Sequence, residues 1–308
     1  MTAPRDSQKK RPRDPVSGWL ILDKPYDMTS TEAVGKLRWL LWAKKAGHAG
    51  TLDPLATGVL PIAFGEATKT VPQVQDGEKV YRFDVVWGAR TATDDAEGEV
   101  VATSPVRPSS GDIEAELPRF TGLISQVPPA FSAIKVKGER AYDLARAGED
   151  VVLPPRDVQI DEFVLTAHSG ERSTFEVRCA KGTYVRALAR DLAHALGTEG
   201  HVGALHRARV GPFTDAAAVS LADIEAIEDE AGRRRLLLPV AAGLSGLDEI
   251  RLDARQAAMI RRGNPVLLTG ADAPVALDEA WASHKGEALA VGRVEMGQFK
   301  PGRVILPA

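Results

Sequence analysis

Between Gly47 and Leu60 the chain reads GHAGTLDPLATGVL, and no other stretch limits its fold as tightly. Three glycines let backbone or ligand approach closely, and Pro54 holds Asp53 out of the helical region. The segment therefore reads as a loop carrying one carboxylate, Asp53, with His48, Thr51 and Thr57 beside it. An isolated Asp-Pro is ordinarily a plain turn. Here a polar loop is squeezed between apolar elements, which favours a working site.

The flanks supply those elements. Gly18–Asp23 reads as a strand, and Thr29–Trp42 as a helix with Ser30 and Thr31 as cap candidates. Gly58–Phe64 and Lys79–Trp87 read as strands separated by a helix after Gly65, and Asp112–Phe120 as a short helix. Val158–Thr166 and Thr174–Cys179 read as antiparallel strands, Thr183–Leu196 as a helix stopped by Gly197, and His201–Val210 as a strand. Val127–Arg156, bounded by Pro-Pro pairs, reads as an inserted flap with a strand at Ala133–Val136 and a helix at Glu139–Ala147. Residues 1–15 are basic and have nothing to bury, which predicts a disordered tail. Leu247–Ala308 reads as a small β-rich unit with a helix at Ala254–Arg262 and strands near Val266–Leu268, Ala288–Glu295 and Val304–Leu306.

Composition excludes more than it proves. At 308 residues, 44% of them hydrophobic, the chain has room for two ordinary domains with buried cores. No apolar run approaches the ~20 residues that span a bilayer, and no secretory signal opens the chain, so a cytoplasmic protein is expected. The lone Cys179 rules out an intrachain disulfide and a cysteine metal cluster, and no HExxH, P-loop or GxSxG motif occurs. The net charge of −3 argues against nucleic acid. From Arg172 to Val210, however, seven basic residues stand against three acidic ones, which leaves room for a one-sided basic surface that composition alone does not prove. His194, His201 and His206 read as solvated or phosphate-near residues, and Asp94–Glu99 as a solvated acidic hairpin.

A second chemistry-bearing stretch is Cys179-Ala-Lys-Gly-Thr-Tyr-Val-Arg186, a strand turning into a helix. Arg186 is placed either to pair with a carboxylate or to sit as an exposed helix cation. Tyr184 and Tyr81 offer aromatic rings, though Tyr81 alone would be ordinary strand packing.

Gly47–Leu60, Asp23–Ser30, Lys79–Tyr81, Lys181–Arg186 and His201–Arg207, in that order, resemble the motifs of the TruB family, the bacterial tRNA pseudouridine-55 synthases. The resemblance runs from about Gly18 to Thr214. Leu252–Gly263 and Lys300–Arg303 are similar to a PUA-type RNA-binding domain. The resemblance implies a mixed α/β catalytic domain over 16–246, built on an antiparallel-rich bent sheet, and a PUA-like domain over 247–308. The 127–156 insertion would be a thumb closing on the T-loop with Lys135, Lys137, Arg140 and Arg146.

It further implies that Asp53 is the catalytic aspartate, with attack on the ribose, on its 2′ proton or on the pyrimidine all open. Tyr81 would stack on the flipped uracil, Arg186 would pair with Asp53, and Tyr184 and Leu205 would line the base pocket. His48 would touch RNA where the uridine leaves its stack, and Lys24 would support the first motif. Tyr26 departs from the glycine usual in that neighbourhood. The implied partner is the T-arm of tRNA, bound by a monomer with no guide RNA, metal, organic cofactor or membrane. The physics is compatible, since a nucleophilic carboxylate must stay ionised and arginine is the cation for that task. A stacked base must also be extruded before it can be reached. Two alternatives compete: a different or guide-directed RNA substrate, and an RNA-binding factor with an idle site.

Overall fold

The computed structural model describes residues 11–132, 134–136, 139–141, 144, 147, 151 and 153–307. Strands β1 (Gly18–Lys24), β2 (Ala46–His48), β3 (Ala56–Phe64), β4 (Lys79–Trp87), β5 (Ala89–Thr91), β6 (Val100–Thr103) and β7 (Gly122–Gln126) are followed by the short pair β8 (Lys135–Val136) and β9 (Glu139–Arg140). Then come β10 (Arg156–Ser169), β11 (Arg172–Cys179), β12 (Gly200–Val210), β13 (Phe213–Thr214) and β14 (Val219–Ser220). Ten of these form one sheet in the order β14-β1-β3-β12-β4-β11-β10-β7, with β2 on β3 and β13 on β12. Only β1–β14 and β3–β12 pair in parallel, so the expected mixed α/β, antiparallel-rich sheet is found. Its centre, β3-β12-β4, is where the conspicuous motifs meet.

Helices α1 (Ser30–Leu40), α2 (Val71–Asp76), α3 (Ser110–Glu116), α4 (Val185–Ala195), α5 (Leu221–Ala226) and α6 (Glu230–Arg234) surround the sheet. Ala33, Leu37 and Leu40 of α1 and Leu188, Ala189, Leu192 and Ala193 of α4 share one core with Leu20, Leu22, Leu60, Phe83 and Phe175. Each large apolar side chain so buried contributes about 1.5–3 kcal/mol. The cap of α1 is Thr29, in a capping box with Glu32, and not Ser30 or Thr31. Ser30 is instead diverted to the loop described below.

The remaining unit comprises β15 (Asp248–Arg251), α7 (Ala254–Arg261), β16 (Val266–Leu267), β17 (Leu277–His284), β18 (Glu287–Glu295) and β19 (Gln298–Val304). They form a five-stranded sheet, β15-β17-β18-β19-β16, over its own core of Ile250, Leu252, Ile260, Leu289, Val294 and Phe299. Strand β17 escapes the sequence reading because LDEAWASH lacks β-branched residues; pairing with β15 and β18 makes it a strand. The unit meets the larger one through Lys69 Nζ, which donates to the Val304 carbonyl (2.8 Å), and through Glu66, which accepts from the Leu306 amide (2.7 Å).

Two further expectations change. Residues 11–15, expected within a disordered tail, are fastened to the fold: Arg11 and Arg13 lie over the Trp42 ring, Trp42 Nε1 donates to the Pro12 carbonyl (3.0 Å), and Asp14 pairs with Arg234. Residues 1–10 fall outside the described residues. In the flap, Glu139–Arg140 pairs as a strand with Lys135–Val136, where a helix was expected from Glu139. Most of the expected helix and the side chains of Lys135, Lys137, Arg140 and Arg146 lie outside the described residues.

Candidate active site

The Ala49–Leu55 loop joins β2 to β3 and is fastened at several points. Ser30 Oγ accepts from the Leu52 amide (2.8 Å) and donates to the Leu52 carbonyl (3.0 Å). The Asp27 amide donates to the Pro54 carbonyl (3.0 Å). Lys24 is fully buried and its Nζ donates to the carbonyls of Pro25, Met28 and Pro54. Burial pulls this amine down to about 8. Lys24 thus staples the first motif to the loop and does not line the cleft, in keeping with a supporting role. The left-handed turn position is Asp27, with φ 57°, one residue after the exposed Tyr26. Glycine would be at ease at 27, so Tyr26 itself does not disturb the turn.

The fastened loop presents Asp53 beside Arg186, with Oδ2 and Nη2 2.9 Å apart. Helix α4 carries Arg186 and buries it, its side chain only 6% exposed. Nη1 stands 3.3 Å from Asp95 Oδ2 and donates to the Thr93 carbonyl (3.0 Å), while Nη2 also donates to the Phe131 carbonyl (2.9 Å). Asp95 is clamped in turn by the Thr93 hydroxyl and the Glu97 amide. One helical turn on, Arg190 pairs with Asp94 (3.0 Å), so positions i and i+4 of α4 grip one acidic loop. The Asp94–Glu99 cluster does form the connection of the β5–β6 hairpin, with Glu97 and Glu99 exposed, but it is not solvated throughout. Asp94 and Asp95 are buried because two arginines neutralise them. Partial burial, followed by the proximity of Asp95 and Asp53, pushes the Glu97 carboxyl up.

Asp53, Tyr81, Tyr184, Arg186 and Leu205 all line one cleft of about 280 Å³, with Gly50–Leu52, Lys79 and Arg207. Tyr184 precedes α4 and is held by a two-way hydrogen bond of its backbone with the Gln126 side chain. Burial raises both phenols, Tyr81 and Tyr184, which stay protonated at neutral pH. His48 lies on β2 opposite Ile62, outside the cleft lining, and its Nδ1 is buried without a partner among the described residues. Burial and nearby Arg207 hold its imidazole down and neutral.

The basic run of Arg172–Val210 does not build a free cationic face. Arg172 pairs with Asp84, Arg178 and Arg209 with Glu78, Lys181 with Asp76, and Arg186 and Arg190 turn inward. Arg207 is buried to 1% and holds carbonyls. Sequence reasoning counted it as surface charge and missed it, as it missed Asp95 and Lys79. Only the acidic cluster gave a usable signal. His206 bridges Thr57 and Asp215 at 3.0 Å each, and His201 Nδ1 is 2.7 Å from the Ala89 carbonyl. Among the described residues no group of three or more His, Cys, Asp or Glu could hold a metal, and no helix is long and apolar enough to cross a membrane.

This geometry has known counterparts. Residues 38–185 match the model of the TruB family pseudouridylate synthase N-terminal domain, and 186–245 that of the tRNA pseudouridylate synthase B C-terminal domain. The junction falls inside α4, and the second stretch completes the same ten-stranded sheet. The tRNA pseudouridine synthase B of Brucella ovis is 54% identical over 316 residues, covering 96% of this chain and 97% of that protein. That of Sinorhizobium medicae is 52% identical over 306 residues, covering 97% and 99%. A chain of a Cbf5-Nop10-Gar1 complex shares the fold with a TM-score of 0.72 at 24% identity, covering 94% of this chain and 85% of that one. With a cleft that joins aspartate, arginine and tyrosines, and relatives this similar from end to end, the chain belongs to the TruB family of pseudouridylate synthases.

Proposed function

We propose that this enzyme converts the uridine at position 55 of the tRNA TΨC loop to pseudouridine. The observation that carries the reading is the Asp53–Arg186 pair at 2.9 Å in a cleft that also holds Tyr81, Tyr184 and Leu205. The relatives in Brucella and Sinorhizobium are named tRNA pseudouridine synthase B, which supports tRNA as the substrate. The N1–C1′ bond breaks, the uracil turns, a C5–C1′ bond forms, and the C5 proton leaves as N1 takes one up. Asp53 attacks the nucleotide, Arg186 orients it, and Tyr81 stacks on the extruded base and serves proton transfer. Tyr184 and Leu205 wall the pocket, and positioning supplies most of the rate. His48 contacts the RNA where the uridine leaves its stack in this reading, and its neutral imidazole suits contact with bases better than with phosphate.

The larger unit, 16–246, does the chemistry, with 127–156 closing over the loop. The 247–308 unit is a PUA-like RNA-binding domain. The enzyme acts as a cytoplasmic monomer without a guide RNA, metal or organic cofactor. Tritium release from [5-³H]uridine-labelled tRNA transcript tests the reading. Wild type releases tritium and Asp53→Asn, still binding tRNA, releases none. Equal release by both would refute the role of Asp53, and no release by either would refute the substrate.

A further inference from the structure

Arg207 occupies an unusual place for an arginine. It lies on β12 where that strand is flanked on both sides, its Cα partner being Tyr81 on β4 and Gly58 on β3. Gly58 has no side chain for a reason: a Cβ there would meet the Arg207 carbonyl at 2.4 Å. The guanidinium is buried and given over to backbone. Nε donates to the Val59 carbonyl (2.9 Å), Nη1 to the Thr51 carbonyl (3.2 Å) and Nη2 to the Gly50 carbonyl (3.0 Å). It also stands beside Tyr81, its register partner on β4 and a fellow lining residue of the cleft, and the two side chains interact electrostatically. Among the described residues no carboxylate stands within ion-pair distance of it.

A buried cation held only by neutral oxygens costs stability that an apolar residue of similar size would not. Its contacts all run to the loop that carries Asp53 or to the base of that loop, and to the aromatic ring across the cleft. We infer that Arg207 is a positioning residue that locks the Asp53 loop and Tyr81 into one rigid unit, fixing the distance between nucleophile and stacking platform. The inference rests on the roles proposed for Asp53 and Tyr81. Arg207 does not touch the reacting atoms; it sets where they stand, and a misplacement of about 1 Å costs on the order of 100-fold in rate. Three carbonyls on two segments require the fork of a guanidinium, which a lysine cannot reproduce.

The test compares Arg207→Lys with wild type on tRNA transcript by single-turnover rate, filter-binding Kd and thermal melting, and adds Tyr81→Phe and the double variant. The expected result is a rate loss of about 100-fold with Kd within about threefold and a cooperative melt. The double variant should lose less than the product of the two single losses, because the residues act as one unit. A wild-type rate in Arg207→Lys overturns the inference. So does a parallel fall of rate, binding and folded fraction with multiplicative losses, which marks plain structural support. Should Arg207→Lys not fold, Gly50→Ala carries the test. An alanine is strained at the Gly50 φ of +105°, so it moves the carbonyl that Arg207 holds at 3.0 Å, while its Cβ would stand 3.5 Å from Arg207 Nη1. The same split of rate from binding is expected, and full rate in Gly50→Ala overturns the inference. Activity retained by Asp53→Asn would instead defeat the proposed function, and the two failures are read separately.

Discussion

Replacing Asp95 by asparagine probes the hidden half of the site. The new side chain keeps the old shape, and its oxygen can still accept from the Thr93 hydroxyl and the Glu97 amide. The atom facing Arg186 Nη1 at 3.3 Å becomes an NH2 group, so donor meets donor. Arg186 keeps three of its four oxygen partners: Asp53, Thr93 and Phe131. The loss is therefore one charge-assisted hydrogen bond, about 1.5–3 kcal/mol. That is less than the about 3–5 kcal/mol expected when a buried charge loses every partner. Chemical denaturation should show this destabilisation with an unchanged slope. Arg186, no longer held from behind, shifts toward Asp53, and the single-turnover rate should fall by about 10- to 100-fold with tRNA binding preserved. Stability within about 0.5 kcal/mol of wild type together with an unaltered rate would refute the claim that Asp95 holds Arg186 in place.

Buried amines give a pH signature. Burial holds Lys24 and Lys79 at about 8 against an ordinary 10.5, so between those values the unfolded chain binds protons that the folded one has released. Stability contributed by these groups should rise with pH across that window and be flat below it. Urea denaturation of wild type and Lys79→Met at pH 7.5 to 10 checks it, since their stability difference must grow in favour of wild type as pH rises. The lone thiol gives a second readout. Burial pushes Cys179 up to about 11, so a disulfide reagent at pH 8 should leave native protein untouched and titrate one thiol only after denaturation. Rapid labelling of the folded protein would show that β11 opens there.

Much of the scaffold was legible in order of residues alone. Alternation and breakers located β1, β3, β4 and β12 within one or two residues, because these strands are long and apolar. The helix that bears Arg186 showed its apolar face plainly. Short or atypical elements were not legible. β17 is a strand only because two neighbours pair with it, and the cap of α1 moved to Thr29 because Ser30 was needed by the loop.

The candidate site divides along the same line. The loop of Gly47–Leu60 announced Asp53, since glycines and an Asp-Pro in a polar loop betray a carboxylate held for a purpose. For Arg186 the residues alone left two readings open, a carboxylate partner or an exposed helix cation, and only the family resemblance favoured the pairing with Asp53. What it could not decide was which charges face which. Asp95 read as solvated acid and Arg207 as surface base, yet both are buried and partnered by residues dozens to more than a hundred positions away. A charge is a local property of the chain, but its partner is fixed only when β12 closes against β3 and β4 and α4 packs over them. The sequence therefore determined the elements and pointed to Asp53, and tertiary structure alone decided the electrostatic frame that holds it.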